Sequence, residues 1–287
     1  MAHFITGIDH ALIAVRQLEQ AAADFARLGF AVSPRGGHAE WGTANHCIMF
    51  ANDYLELIAP AGTGPGADKV GRFLTEKGTP QDGGALMGLA LGSSDAQASY
   101  DGLTAHGVAA VPPAPLSRSL HAPEGEILPR FSLVDLPPDA MPGVPGFLCQ
   151  HLTPDLLRRP HWLDHPNGAR GIQSVTVVVD DPEACMPAYD KLFGAFAATP
   201  TDDMVTVHTG GALIFLVTPD GFDHLHPTLD MDPPSAPSLA SLCLTVDSLD
   251  RAAAALKQGG VAFRRKPEHI AIDPDETSGI AMEMVEG

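Results

Sequence analysis

The sequence predicts an α+β fold: four β-α-β-β-β modules forming two domains, each a curved mixed eight-stranded sheet with helices on its outer face. Three observations carry this. Residues 14–32, AVRQLEQAAADFARLGFAV, and residues 245–263, TVDSLDRAAAALKQGGVAF, align without a gap as strand, polar turn, Ala-rich amphipathic helix, glycine and strand. A third copy opens at residue 171, GIQSVTVVVDDPEACMPAYDKLFGAF, where Gly171 and Ile172 match Gly7 and Ile8; a weaker fourth spans residues 85–111. One module covers a single sheet face with its helix, so the other face needs a partner, and two packed modules enclose a concave, half-open interior.

The first module opens on the strand GIDHALIAV and continues into a helix with Leu18, Ala21, Ala22, Phe25 and Leu28 on one face. Short strands follow near residues 30–33, 43–50 and 53–59, and Pro60 ends the last. The second module fills residues 85–153; its stretch 112–146 is long, Pro-rich and irregular, as lids, binding loops and linkers are. The first domain is expected over residues 1–155, a linker rich in Pro and charge over 156–169, and the second domain over 170–287. The third module places strands near 195–198, 203–208 and 212–218, and the fourth helix repeats the apolar face with Leu249, Ala252, Ala253 and Leu256.

With 17 Lys+Arg against 35 Asp+Glu the net charge is −18, a poor surface for nucleic acid or anionic lipid. No apolar run is long enough to span a membrane, and MAHFITGIDH has neither the basic nor the apolar region of a secretory signal. Cys47, Cys149, Cys185 and Cys243 lie far apart with no CxxC pair, which predicts reduced, buried thiols in a cytoplasmic protein. The partner expected is a small molecule, with a homodimer left open.

The segment NDYLELIAP poses the chemical question. Glu56 stands mid-strand among side chains that belong out of water, so it needs a cation, a proton or hydrogen-bond donors. His10 lies on a strand face with Ile8 and Leu12 at a matching place in the repeat. Taken singly, His10 reads as a hydrogen-bonded core histidine and Glu56 as a salt-bridged carboxylate; taken together they favour a shared cation.

Paired modules with GIDHALIAV as first strand and LEL in the fourth resemble the vicinal oxygen chelate superfamily, which includes glyoxalase I, extradiol dioxygenases and methylmalonyl-CoA epimerase. GGHAEWGTANHCIMFANDYLELIAP is similar to its glyoxalase-like branch. The resemblance implies a metal held by the first and fourth strands of two paired modules, with His10 and Glu56 from module one. The first-strand place of module two falls on or near Gly88, which cannot ligate. In its last strand, GFLCQHLTP, counting back from the terminal Pro selects Gln150, while ligand chemistry selects His151. The corresponding places in the second domain are Ser174, Phe215, Ser241 and Glu283, which read as a structural partner or lid.

Two imidazoles and a carboxylate leave coordination positions open, as catalytic sites do. The first functional expectation is a divalent-metal-dependent isomerase or lyase (Zn, Mn, Ni or Co) acting on a small organic substrate with vicinal oxygens. The second is Fe(II)-dependent extradiol-type dioxygenation. The third is a metal-free protein that sequesters a ligand in the same cavity, with His10 and Glu56 bonded to each other. His38 is the candidate acid or base. Thr43, Asn45 and His46 are candidate substrate contacts, Arg118 and Arg130 candidate anion anchors, and Trp162 with His161 a candidate wall. His165 and Asn167, in HPNG, read as turn structure.

Overall fold

A computed structural model describes residues 5–122 and 125–287. The first module supplies β1 (Ile5–Val15), α1 (Leu18–Arg27), β2 (Gly36–His38), β3 (Thr43–Met49) and β4 (Tyr54–Pro60), and α2 (Pro65–Glu76) follows. The second supplies β5 (Gly84–Ser93), α3 (Ala96–Ala105), β6 (Ala114–Ser117), β7 (Ser119–Ala122), β8 (Gly125–Ile127), β9 (Arg130–Asp135) and β10 (Gly146–His151). A one-turn helix, α4 (Pro160–Leu163), lies in the connection. The third and fourth modules comprise β11 (Ala169–Val178), α5 (Pro182–Phe193), β12 (Ala198–Thr201), β13 (Met204–His208), β14 (Leu213–Val217), α6 (Pro219–Leu225), β15 (Ser238–Val246), α7 (Leu249–Gln258), β16 (Arg264–Arg265), β17 (His269–Ile272) and β18 (Ala281–Glu286).

The fold class is the expected one, α+β with two curved sheets. In each, the first strands of two modules pair antiparallel at the centre, β1 with β5 and β11 with β15, and each also pairs parallel with its own module's last long strand. The helices form where the pattern required. Leu18, Ala21 and Phe25 bury one face of α1, and Gly29, at φ +86°, turns the chain out of it. The helix-covered sides of the two sheets meet: Ile13, Ile48 and Leu55 share one buried apolar cluster with Val175, Val177, Leu242 and Leu244.

Three features depart from the expectation. Residues 30–33 form no strand; Ser33 instead donates its backbone N–H to the Cys47 carbonyl (2.8 Å) and accepts from the Cys47 amide at Oγ (2.8 Å). A helix follows the fourth strand of modules one and three: Val70 and Leu74 of α2 pack on Ala14, Ile58 and Met87, across the concave side of the first sheet, as Phe222 of α6 packs on Val178, Val217 and Ala240 in the second. That sheet also has ten strands rather than eight, in the order β6-β9-β10-β5-β1-β4-β3-β2-β7-β8. The Pro-rich stretch supplies the extra hairpin, β7–β8, which extends the edge beyond β2. Only Arg118 separates β6 at one end of this order from β7, next to last at the other, so the sheet must curl until β6 and β7 are one residue apart. The result is a nearly closed cup strapped by residues 114–122.

The connection is anchored rather than loose. His165 accepts from the Ala31 amide (3.0 Å) and donates to the Met49 carbonyl (2.9 Å). Asn167 donates to the Leu28 carbonyl (3.0 Å) and accepts from the Ala169 amide (3.0 Å).

Candidate active site

The cup floor explains Glu56. Parallel pairing of β1 with β4 sets Leu12 opposite Glu56, which brings His10 Nε2 to 3.4 Å from the Glu56 carboxylate. The other Glu56 oxygen accepts from Asn45 Nδ2, and His10 Nδ1 lies 2.6 Å from Asp9. Burial alone would lower the His10 pKa, but its bonds to Asp9 and Glu56 outweigh burial and raise it to about 9. Burial alone would raise Glu56, but the His10 bond and charge hold it down to about 2. Near neutrality the floor is therefore a carboxylate–imidazolium–carboxylate row, stacked at 4.3 Å on the Tyr54 ring.

Asp9 was not legible from period-2 alternation, which sends it away from His10. A register shift between Ile8 and His10 breaks that alternation. It sends Ile8 into the helix-side core, where His10 does not follow, and brings the Asp9 carboxylate to His10.

Above the floor is a cavity of about 100 Å³. His10, His38, Thr43, Glu56 and Arg118 line it, together with Leu12, Tyr54, Ile58, Met87, Phe131 and Phe147. Trp41 and Lys69, both absent from the sequence expectations, also face it. His38 Nδ1 is 3.1 Å from Thr43 Oγ1. Burial lowers the His38 pKa below its ordinary 6.5; the Glu56 charge opposes this, and Arg118 and His10 add to it. His38 is thus a neutral imidazole in a cavity that also holds an imidazolium.

The remaining expected residues separate. His46 points to the helix side, its Nδ1 2.8 Å from the Ser33 carbonyl and its Nε2 3.3 Å from Glu19, because neighbours on β3 alternate faces. Arg130 is exposed on β9 and turned away from the cavity that its neighbour Phe131 lines. Trp162 is buried against Cys47, Met49 and Leu157 behind the cavity wall, with Arg159 over its ring at 5.0 Å.

The last strand of module two sets the register of the expected ligand places. In three modules, the first-strand place lies two residues before the partner of the fourth-strand place: His10 with Leu12↔Glu56, Ser174 with Thr176↔Phe215, and Ser241 with Cys243↔Glu283. In module two the same rule gives Gly88 with Ala90↔Phe147. Phe147, not Gln150 or His151, holds the fourth place, because β10 runs on further before its terminal Pro than β4 does. Gln150 turns outward and accepts from the Ala96 amide at the start of α3 (3.0 Å). His151 bonds Asp9 at 3.1 Å, behind His10.

The four places are thus His10, Glu56, Gly88 and Phe147, of which two carry donors. Among the described residues, the three-donor group whose ligand atoms lie within 4.8 Å of one another is Asp9, Cys149 and His151, without Glu56. Asp9 is already bonded there to two imidazoles, and burial pushes the Cys149 thiol well up. Catalytic zinc sites take three protein ligands converging on one point; among the described residues the four places supply two.

The glyoxalase-like domain profile matches residues 8–193, well over half of the chain. The chain belongs to the glyoxalase-like domain family. The profile of the broader glyoxalase/bleomycin resistance protein/dioxygenase superfamily matches residues 171–277 of this glyoxalase-like protein. A search of curated proteins gives no match. Among solved structures, a hypothetical protein from Staphylococcus aureus is 13% identical with a TM-score of 0.69, over 98% of this chain and 99% of that one. A mutant 4-hydroxymandelate synthase from Streptomyces coelicolor is 17% identical with a TM-score of 0.61, over 98% and 92%. A xylose isomerase-like TIM barrel/4-hydroxyphenylpyruvate dioxygenase fusion protein is 16% identical with a TM-score of 0.58, over 98% of this chain and 48% of that one. At these identities the likeness concerns the fold.

The second cup of the glyoxalase-like protein is filled from within. His226, just past α6, sets Nδ1 2.6 Å from Glu283 and Nε2 2.8 Å from Thr176 Oγ1 and 3.1 Å from Ser241 Oγ. Glu283, for which the sequence leaves solvation and hydrogen bonding open, is hydrogen-bonded by the chain's own imidazole.

Proposed function

We propose that the first cup is the active site of an enzyme that moves a proton on a small organic molecule with vicinal oxygens, by the acid–base groups of the chain itself. The observation that carries this reading is a neutral His38 facing the same cavity as the His10 imidazolium. Two titratable groups whose surroundings push them in opposite directions are the signature of a base and an acid working together.

For a substrate carrying a carbonyl beside a C–H and a second oxygen, His38 removes the carbon-bound proton at Nε2. Thr43, at Nδ1, holds the ring in place. The electron pair moves onto the carbonyl oxygen, and the oxyanion shares His10 Nε2–H with Glu56, whose contact at 3.4 Å is long enough to leave the donor open to a second acceptor. The hydroxyl on the first carbon gives its proton to that oxyanion as its own C–O bond becomes the new carbonyl, and His38 returns the carbon-bound proton to the neighbouring carbon, which completes an isomerisation with no other reactant. Asp9 and Glu56 keep His10 protonated, and Asn45 fixes the Glu56 carboxylate. The two-donor floor supports this metal-independent reading over the metal-dependent one expected from the resemblance, and over Fe(II) chemistry, which takes two histidines and a carboxylate on one ion.

Deuterium exchange tests it. In D₂O with excess chelator, the protein should wash deuterium into the acidic C–H of small hydroxyketones and hydroxyaldehydes. His38→Ala should slow this by about 10²–10⁴-fold. Exchange that appears only after a divalent metal is added would restore the metal-dependent enzyme. No exchange with any such compound, despite binding, would leave a sequestering protein.

A further inference from the structure

Arg118 is the unexplained group of the cup. It is 2% exposed, and it is the single residue of the strap between β6 and β7, so closure of the sheet carries its side chain inward. Its backbone amide bonds the Pro129 carbonyl (3.1 Å). Its side chain donates one N–H to Cys47 Sγ at 2.9 Å, and its Nε, fully buried, has no partner among the described residues. A guanidinium offers five donors in a planar fork shaped for a carboxylate. Here its protein contact is a weak sulfur acceptor, on a thiol that burial holds protonated with a pKa of about 11 against the opposing pull of Arg118. Leaving a buried charge so poorly bonded is costly unless something else supplies acceptors.

We infer that the first cup binds small organic carboxylates with an apolar body, the carboxylate on the Arg118 fork and the body against Leu116, Phe131, Leu133 and Phe147. This deepens the reading of the cup as a reaction site and rests on it for the chemistry, though not for the binding. The charge distribution agrees. In a chain with a net charge of −18 and 17 Lys+Arg, Arg118 and Lys69 both face this cavity. Of the two carboxylates that line it among the described residues, Glu56 is paired with His10, while Asp135 lies exposed at its own strand end. The size of the cavity, about 100 Å³, restricts the body to a few carbons or a single ring. The alternative role for Arg118 is a staple that holds the strap to β3 through Cys47.

Calorimetric titration of the full chain separates the two. The probes are benzoate and 2-hydroxybutanoate, each against its neutral amide, benzamide and 2-hydroxybutanamide. The acids should bind at least about 30-fold more tightly than the amides, the range in which a buried charge pair shows itself. Arg118→Met should erase that preference; Arg118→Lys should keep part of it. Lys69→Ala, on an exposed position that cannot disturb the core, should weaken acid binding in low salt and not in high salt. Equal affinity for acid and amide in the unaltered protein, no binding of either acid, or an undiminished preference in folded Arg118→Met would each overturn the inference. These results stand apart from deuterium exchange. Acids that bind without any exchange leave this inference intact and remove the isomerase. Hydroxyketones that exchange without acid preference do the reverse.

Discussion

Glu56 and His10 stabilise the fold as well as the proposed chemistry, and the sign of each effect is set by the direction of its shift. His10 is raised from 6.5 to about 9, so its contribution is complete below about 6.5 and is lost as pH rises through 9. Glu56 is lowered from 4.5 to about 2, so its contribution is complete above about 4.5 and is lost as pH falls through 2. Chemical denaturation across pH should therefore show a plateau between these limits with a decline on each side. Glu56→Ala should remove about 3 kcal/mol near neutrality by leaving the imidazolium with Asp9 alone, and should bring the alkaline decline to lower pH. A variant with unaltered stability and an unmoved alkaline limb would show that the pair is not formed. The same shifts predict a bell-shaped profile for the proposed isomerisation, with an acid limb below 6.5 from His38 and an alkaline limb near 9 from His10.

At the level of elements, the site depends on how closely β2 approaches β3. A side chain at Gly36 would place its Cβ 2.4 Å from Asn45 Oδ1 and 3.0 Å from Arg118 Cδ. Gly36→Ala should thus push Asn45 off Glu56 and tilt the strap. The expected outcome is a loss of about 1–3 kcal/mol in stability with carboxylate binding weakened in the same variant. A crystal structure of Gly36→Ala with Asn45 still bonded to Glu56 would contradict this. The repeat, the helix faces and the central strands were legible because each is a local pattern with its own period. The strap and α2 were not: a Pro-rich stretch carries no period, and α2, whose counterpart after β14 is the shorter α6, lies outside the β-α-β-β-β pattern. The bulge at Asp9 was hidden for a related reason, since alternation is the assumption that it breaks.

For the whole molecule, two cups stand back to back on a shared core, one open and one filled by His226. The contact between the domains is tight where α1 meets the end of α7. A Cβ on Gly259 would lie 1.8 Å from the Arg27 carbonyl oxygen, a backbone atom that cannot swing aside. Gly259→Ala should separate the two domains locally and cost about 1–3 kcal/mol. Its denaturation curve should broaden or split while the first cup still binds its ligand. A single unfolding transition at the unaltered midpoint would show that this contact is dispensable. Elemental analysis of protein purified without chelator belongs at this scale too: well under one divalent ion per chain is expected, and no further loss in the His10→Ala, Glu56→Ala double variant.

By itself the sequence determined the four modules, their pairing into two sheets, and the presence of an imidazole and an acid at the matching strands of the first, because hydrophobic period and internal repetition are properties of neighbouring residues. Only the tertiary structure decided what neutralises Glu56, that Phe147 rather than a third ligand closes the floor, and that Arg118 stands beside it. Those outcomes turn on a bulge, a strand a few residues longer, and a sheet curled until β6 and β7 meet. Each is set by pairing between segments far apart in the chain.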